Sequence, residues 1–249
     1  MPALACLIID DDPIAASWLL ELLRSRGHVA VLSSCLDHAE LQLGKGGFTR
    51  IIIDRRLPDG DGLQWLQQHS HPLPWPVLLT SGDELSGKSL PEGVVFLRKP
   101  VDQDSLLAWL ETGADTPAVP ASGSACESTS AELPLLSDEL ALSRFGGRIE
   151  TLQALRVMLL KELQTAESWI STLPQPEALA TSLSQLHRLS AACALTGCDR
   201  LEQASGELES RLRAGHDISR DQQRDIWAIL ALTRSALEQA ATAALARAE

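Results

Sequence analysis

Two rhythms of apolar and polar positions divide this chain. Short, nearly unbroken apolar runs at 4–9, 28–33, 50–53, 76–80 and 94–97 read as buried strands, and the stretches at 13–26, 37–44, 61–69 and 101–112 carry the spacing of helices. Strands and helices in alternation predict a doubly wound α/β domain on a five-stranded parallel sheet. One repeat is short. Only 18 residues separate Thr80 from Lys99, and they include Gly82, Gly87, Pro91 and Gly93, so the helix before the last strand is expected to be stunted or irregular.

Beyond residue 134 the alternation stops and apolar residues recur every three or four positions. Leu152, Leu155, Leu159, Leu163, Ala166 and Ile170 mark one helix, and Leu179, Leu183, Leu186, Ser190 and Cys193 a second. Leu201, Leu208 and Leu212 mark a third; Ile226, Leu230, Thr233 and Leu237 mark a fourth, introduced by a capping box at Ser219 and Gln222. Pro176 suits a first helical turn, and Gly197 and Gly215 suit helix ends. An all-α four-helix bundle follows, with a short leading helix near 137–145. Between the halves, residues 113–134 hold three prolines and many small polar side chains but no aromatic, the composition of a flexible linker with a reach of roughly 26 Å. The expected domains are 1–112 and 135–249.

Composition narrows the classes. The 249 residues carry a net charge of −12, which opposes a broad nucleic-acid surface, and their 45% hydrophobic content suffices for two cores. No apolar run approaches the roughly 18 residues that cross a bilayer, and no basic leader opens the chain, so a cytoplasmic protein without membrane insertion is expected. The five cysteines form no C-x-x-C pair and are read as reduced thiols, mostly in cores. Six scattered tryptophans, without basic interleaving, read as core or interface anchors.

The chemistry sits where the strands end. Asp10 and Asp11 follow the first strand, Asp54 closes the third, Thr80 the fourth and Lys99 the fifth, and in an open parallel sheet the carboxyl ends of strands line one crevice. Three carboxylates brought together repel unless a cation holds them, and hard oxygen ligands suit Mg²⁺. A metal flanked by Lys99 and a Thr hydroxyl suits a phosphoryl group, with Asp54 as nucleophile and its second oxygen on the metal.

On these residues the first 112 positions resemble the receiver domain of two-component response regulators, a flavodoxin-like fold. The acidic pair Asp10 and Asp11, Asp54 within D-x-x-L-P-x-x-D-G, Thr80, Phe96, and Lys99 followed by Pro100 match in order. The resemblance implies that Asp54 accepts a phosphoryl group from a sensor histidine kinase and that Thr80 and Phe96 are the switch pair. It also implies that the backbone carbonyl of Arg56 completes a Mg²⁺ site with Asp10, Asp11 and Asp54, and that Arg56 and Gly82 tune the lifetime of the phosphorylated state.

Within the second bundle helix, His187 lies beside the apolar stripe, where its ring is expected to reach solvent, with Ser190, Ala191 and Ala194 as small neighbours on its face. His187, Leu189, Gly197 and Leu201, together with Phe145, Gly146 and Gly147, make residues 135–249 resemble a histidine phosphotransfer domain. In that family a Lys and a Gly stand where Ser190 and Ala191 stand here. Arg188 points about 100° away from His187 and does not substitute for that Lys. The resemblance implies a phosphorelay in which His187 carries phosphate and other response regulators dock on it. No ATP-binding boxes accompany the histidine, so the chain reads as a phosphoryl-transfer intermediate rather than an autonomous enzyme. The alternative reading is a phospho-switched binding protein, whose degenerate bundle sequesters or inhibits a kinase or regulator without carrying phosphate.

Overall fold

The computed structural model describes residues 2–69, 73–82, 85, 89–113, 133–171, 173 and 179–248. The chain divides into two compact units, residues 1–127 and 128–249.

The first unit opens with β1 (Ala5–Ile9), α1 (Pro13–Ser25), β2 (Val29–Ser33), α2 (Leu36–Leu43) and β3 (Arg50–Asp54). A small antiparallel hairpin, β4 (Arg56–Leu57) with β5 (Gly60–Asp61), follows and leads into α3 (Gly62–Gln68). Then come β6 (Val77–Ser81), β7 (Val94–Arg98) and α4 (Gln103–Thr112). Five strands pair in parallel in the order β2-β1-β3-β6-β7, the flavodoxin-like order of a doubly wound sheet. The strand order reverses between β1 and β3, so the crevice at their carboxyl ends is the topological switch point.

Local chemistry explains the boundaries. Asp12 caps α1 by accepting the Ile14 N–H, and Pro13 takes the first helical position, where a missing N–H costs nothing. Ile51, Ile52 and Ile53 are buried because β3 is central and covered on both faces. The described residues between β6 and β7 carry no helix, consistent with the glycines and Pro91 there. The remainder of that connection, Pro176 and nearly all of the expected linker lie outside the described residues.

The second unit contains, among the described residues, α5 (Asp138–Arg144), α6 (Ile149–Ile170), α7 (Leu179–Thr196), α8 (Asp199–Arg213) and α9 (Arg220–Ala248). Helix α6 packs on α7 and α9, and α8 packs on the same two, which closes a four-helix ring; α5 lies against α6 and α7. The apolar stripes expected for the first and fourth long helices are buried as read, and Ser219 and Gln222 make the reciprocal bonds of a capping box at 3.2 and 3.0 Å. The second stripe needs correction. Leu179 is 41% exposed, and the buried face of α7 runs through Ser182, Leu186, Leu189 and Cys193 instead. Its last turn is buried almost all round because α5, α6 and α8 all reach it. Arg156 secures that turn: its Nε donates to the Thr196 carbonyl at 3.0 Å, and its Nη1 pairs with Asp138 at 2.6 Å.

Candidate functional site

The crevice assembles as the strand ends require. Pairing puts Asp54 opposite Thr80 and Thr80 opposite Leu97, while Lys99 follows β7 with its N–H on the Ser81 carbonyl at 2.8 Å. The Lys99 ammonium lies 2.9 Å from Asp10 Oδ2 and 2.9 Å from Asp54 Oδ2. The other oxygen of Asp10 accepts the Asp12 N–H at 2.9 Å, so Asp10 is held at both ends. Asp54 is 2% exposed, and its Oδ1 is buried with no hydrogen-bond partner among the described residues.

Burial pushes the Asp10 carboxyl up to about 6, with Lys99 opposing that rise and Asp54 adding to it. Burial alone would discharge Lys99, but the carboxylates of Asp10, Asp54 and Asp12 outweigh it and hold the ammonium well above the ordinary lysine range. The pocket therefore holds a fixed cation between two acids.

Asp10, Asp11 and Asp54 each present an oxygen within 4.8 Å of the others. Three carboxylates around a buried, unpartnered oxygen fit a small hard cation, since two charges remain after Lys99 is counted and every donor is oxygen. Asp11 is the most exposed of the three.

Thr80 and Phe96 take distinct places. Thr80 is buried, and among the described residues its hydroxyl donates one long bond, 3.4 Å to the Ile53 carbonyl. Phe96 pairs in register with Leu79 and is half-buried against the sheet core. Arg56 opens the β4 strand two residues past Asp54, which keeps its backbone beside the crevice. Gly62 is a contributor the strand pattern hides. A Cβ there would lie 2.3 Å from the Asp54 carbonyl oxygen, so the chain returns against Asp54 where only glycine fits.

Within the second unit, His187 differs from its expectation. The side chain keeps only 12% of its surface; Glu209 of α8 meets Nδ1 at 3.2 Å, and Nε2 is buried. Arg213, one turn further along α8, pairs with the same Glu209 oxygen. The small residues also serve packing: Ala194 is buried, and Ser190 faces Gly206 across the α7–α8 seam. Arg188 turns away to pair with Glu162 at 3.1 Å. Glu209 and Arg213 were not singled out from sequence. A signal existed, since His187 lies ten residues before Gly197 and Glu209 twelve after it, which levels them in an antiparallel helical hairpin.

No family model matches the chain. The transcriptional regulatory protein ZraR of Escherichia coli K12 is 32% identical over 149 residues, covering 55% of this chain; its counterpart in Escherichia coli O157:H7 gives the same values. The chain spans about a third of the length of these curated relatives, 34%. Among solved structures, a CheY-like response regulator receiver domain from Methylobacillus flagellatus is 25% identical with a TM-score of 0.39, covering 45% of this chain and 98% of its own. The receiver domain of the hybrid histidine kinase CckA is 26% identical with a TM-score of 0.39, covering 45% and 99%. The first unit has a flavodoxin-like fold, and the unit that follows is helical. No helix among the described residues is long and apolar enough to cross a membrane.

Proposed function

We propose that this chain is a two-component signalling protein whose first unit accepts a phosphoryl group on Asp54 and whose helical unit relays phosphoryl groups through His187. The observation that carries the reading is the Lys99 ammonium bridging Asp10 and Asp54 beside the unpartnered Asp54 Oδ1. A carboxylate so placed is a nucleophile with a counter-charge already fixed for the oxygens of an incoming phosphoryl group.

An Asp54 oxygen attacks phosphorus on the phosphohistidine of a sensor kinase, and the P–N bond breaks as imidazole leaves, giving an acyl phosphate. Asp10, Asp11, Asp54 and the backbone carbonyl of Arg56 would hold Mg²⁺, which supplies neutralisation of charge on the transferring oxygens. Lys99 pairs with a phosphoryl oxygen, and the loosely bound Thr80 hydroxyl turns toward another. Phe96 then follows into the space Thr80 leaves, which alters the β6–β7 edge where a partner reads the change.

At His187, a Glu209 carboxylate on Nδ1 fixes the tautomer that places the nucleophilic lone pair on Nε2. Arg213 brings a cation to the same pair from α8, where the lysine expected on α7 is Ser190. Other response regulators are the partners for that nitrogen. The binding-only alternative is favoured by the enclosure of the ring and by the packing of Ser190 against Gly206.

The test of the first step is incubation of the full chain with a phosphorylated sensor kinase in Mg²⁺ or in EDTA. Base-labile phosphate that forms only with Mg²⁺ and vanishes in Asp54→Asn supports the reading. Equal labelling of Asp54→Asn overturns it.

A further inference from the structure

Two thiols stand at the corner between α7 and α8 of the second unit. Gly197 closes α7 in the left-handed region with φ of 72°, and the Cys198 N–H donates to the Cys193 carbonyl at 2.9 Å. This six-to-one bond is a Schellman closure, which brings the two side chains it links onto one side of the turn and ordinarily joins them by apolar contact. Here both are cysteines, each 0% exposed. The closure thus sets the two thiols on one side of the corner, the arrangement a disulfide across it requires.

We propose that Cys193 and Cys198 are a reversible dithiol–disulfide pair, closed by a peroxide, that covalently locks the α7–α8 corner. The two sulfurs are unequal. Cys198 is the N-cap of α8, where unpaired backbone N–H groups favour negative charge, with the Thr196 hydroxyl 3.5 Å from its sulfur. The Arg156 guanidinium clamps the Thr196 carbonyl close by. The neighbouring Cys193 thiol draws the Cys198 thiol below its ordinary range, whereas burial pushes Cys193 well up. Cys198 is thus the attacking sulfur and Cys193 the resolving one.

The Cys198 thiolate attacks one peroxide oxygen; the O–O bond breaks, and hydroxide leaves and takes up the proton that Cys198 released. The Cys193 sulfur then displaces water from the resulting sulfenic acid, with its own proton leaving in that water. Two thiols and one hydrogen peroxide give one disulfide and two waters. Complete burial sets the class of oxidant, admitting a small neutral peroxide and excluding glutathione disulfide. The link would fix the end of the helix that carries His187 and the start of the helix that carries Glu209.

The full chain, fully reduced, is treated with hydrogen peroxide, quenched, alkylated with N-ethylmaleimide in denaturant and analysed by intact mass and peptide mapping. The expected result is two fewer alkylations out of five thiols, a peptide crosslinked at Cys193 and Cys198, and reversal by dithiothreitol. Cys193→Ser should leave a dimedone-reactive sulfenic acid at Cys198, and Cys198→Ser should leave Cys193 unmodified. The wild-type arm needs no variant to fold. Full alkylation after peroxide, or a disulfide through Cys35 or Cys126 with none between Cys193 and Cys198, would overturn the proposal.

Discussion

The ammonium of Lys99 stands 2.9 Å from Asp54 Oδ2 and the same distance from Asp10 Oδ2, so one cation from the last strand neutralises acids from two others. The triad joins the ends of β1, β3 and β7 within a pocket nearly closed to water. Removing the cation leaves two adjacent buried carboxylates unbalanced. Lys99→Ala should destabilise the first unit by about 3 kcal/mol, the cost of breaking a buried pair on one side. Urea unfolding of the variant, with and without Mg²⁺, checks this; the metal should restore part of the loss.

Asp10 gives the same pocket a pH dependence. Burial pushes its carboxyl up from the ordinary 3.8 to about 6, so the fold binds the proton more tightly. Between those values the folded state carries more protons, and its stability falls as pH rises through the window, by at most 2 to 3 kcal/mol. Unfolding in EDTA at pH 4.5 and 6.5 should show the fall. Mg²⁺ affinity should rise across the same interval, because cation and proton compete for the oxygen.

Gly62→Ala tests the packing behind the acceptor. A methyl group 2.3 Å from the Asp54 carbonyl oxygen forces β3 and α3 apart. A cost of about 1 to 3 kcal/mol is expected, together with slower phosphorylation of Asp54, because the strain falls on the acceptor's own backbone. Normal stability with normal transfer would show that the turn relaxes without touching the site.

How much of this was legible depends on the range of each interaction. Strand-end chemistry was readable because Asp54, Thr80 and Lys99 each close an apolar run, and parallel topology alone gathers them. The β4–β5 hairpin was not, since two-residue strands lie below any periodic signal. The facing of α7 was misread because Leu179 is apolar yet exposed, and the buried line passes through Ser182. Above all, the partner of His187 Nδ1 is Glu209, 22 residues away on another helix. A helical wheel drawn on α7 alone contains no trace of it.

Glu209→Gln isolates that contact. The amide keeps the shape but no longer accepts as a carboxylate, so the fixed Nδ1–H tautomer should give way to a mixture. Imidazole ¹⁵N shifts of His187 report the change directly. Phosphoryl transfer at His187 should fall by roughly ten- to a hundredfold, the range for loss of a partner that orients a histidine. An unchanged tautomer would remove Glu209 from the account.

The central claim is that one chain carries phosphate at two residues. The direct measurement offers a phosphorylated sensor kinase and several phosphorylated response regulators, with Mg²⁺, to wild type, Asp54→Ala and His187→Gln, scoring base-labile and acid-labile phosphate separately. The account expects base-labile phosphate lost only in Asp54→Ala and acid-labile phosphate lost only in His187→Gln. Base-labile phosphate alone, whichever regulator is offered, would contradict the relay and leave a receiver attached to a bundle that only binds.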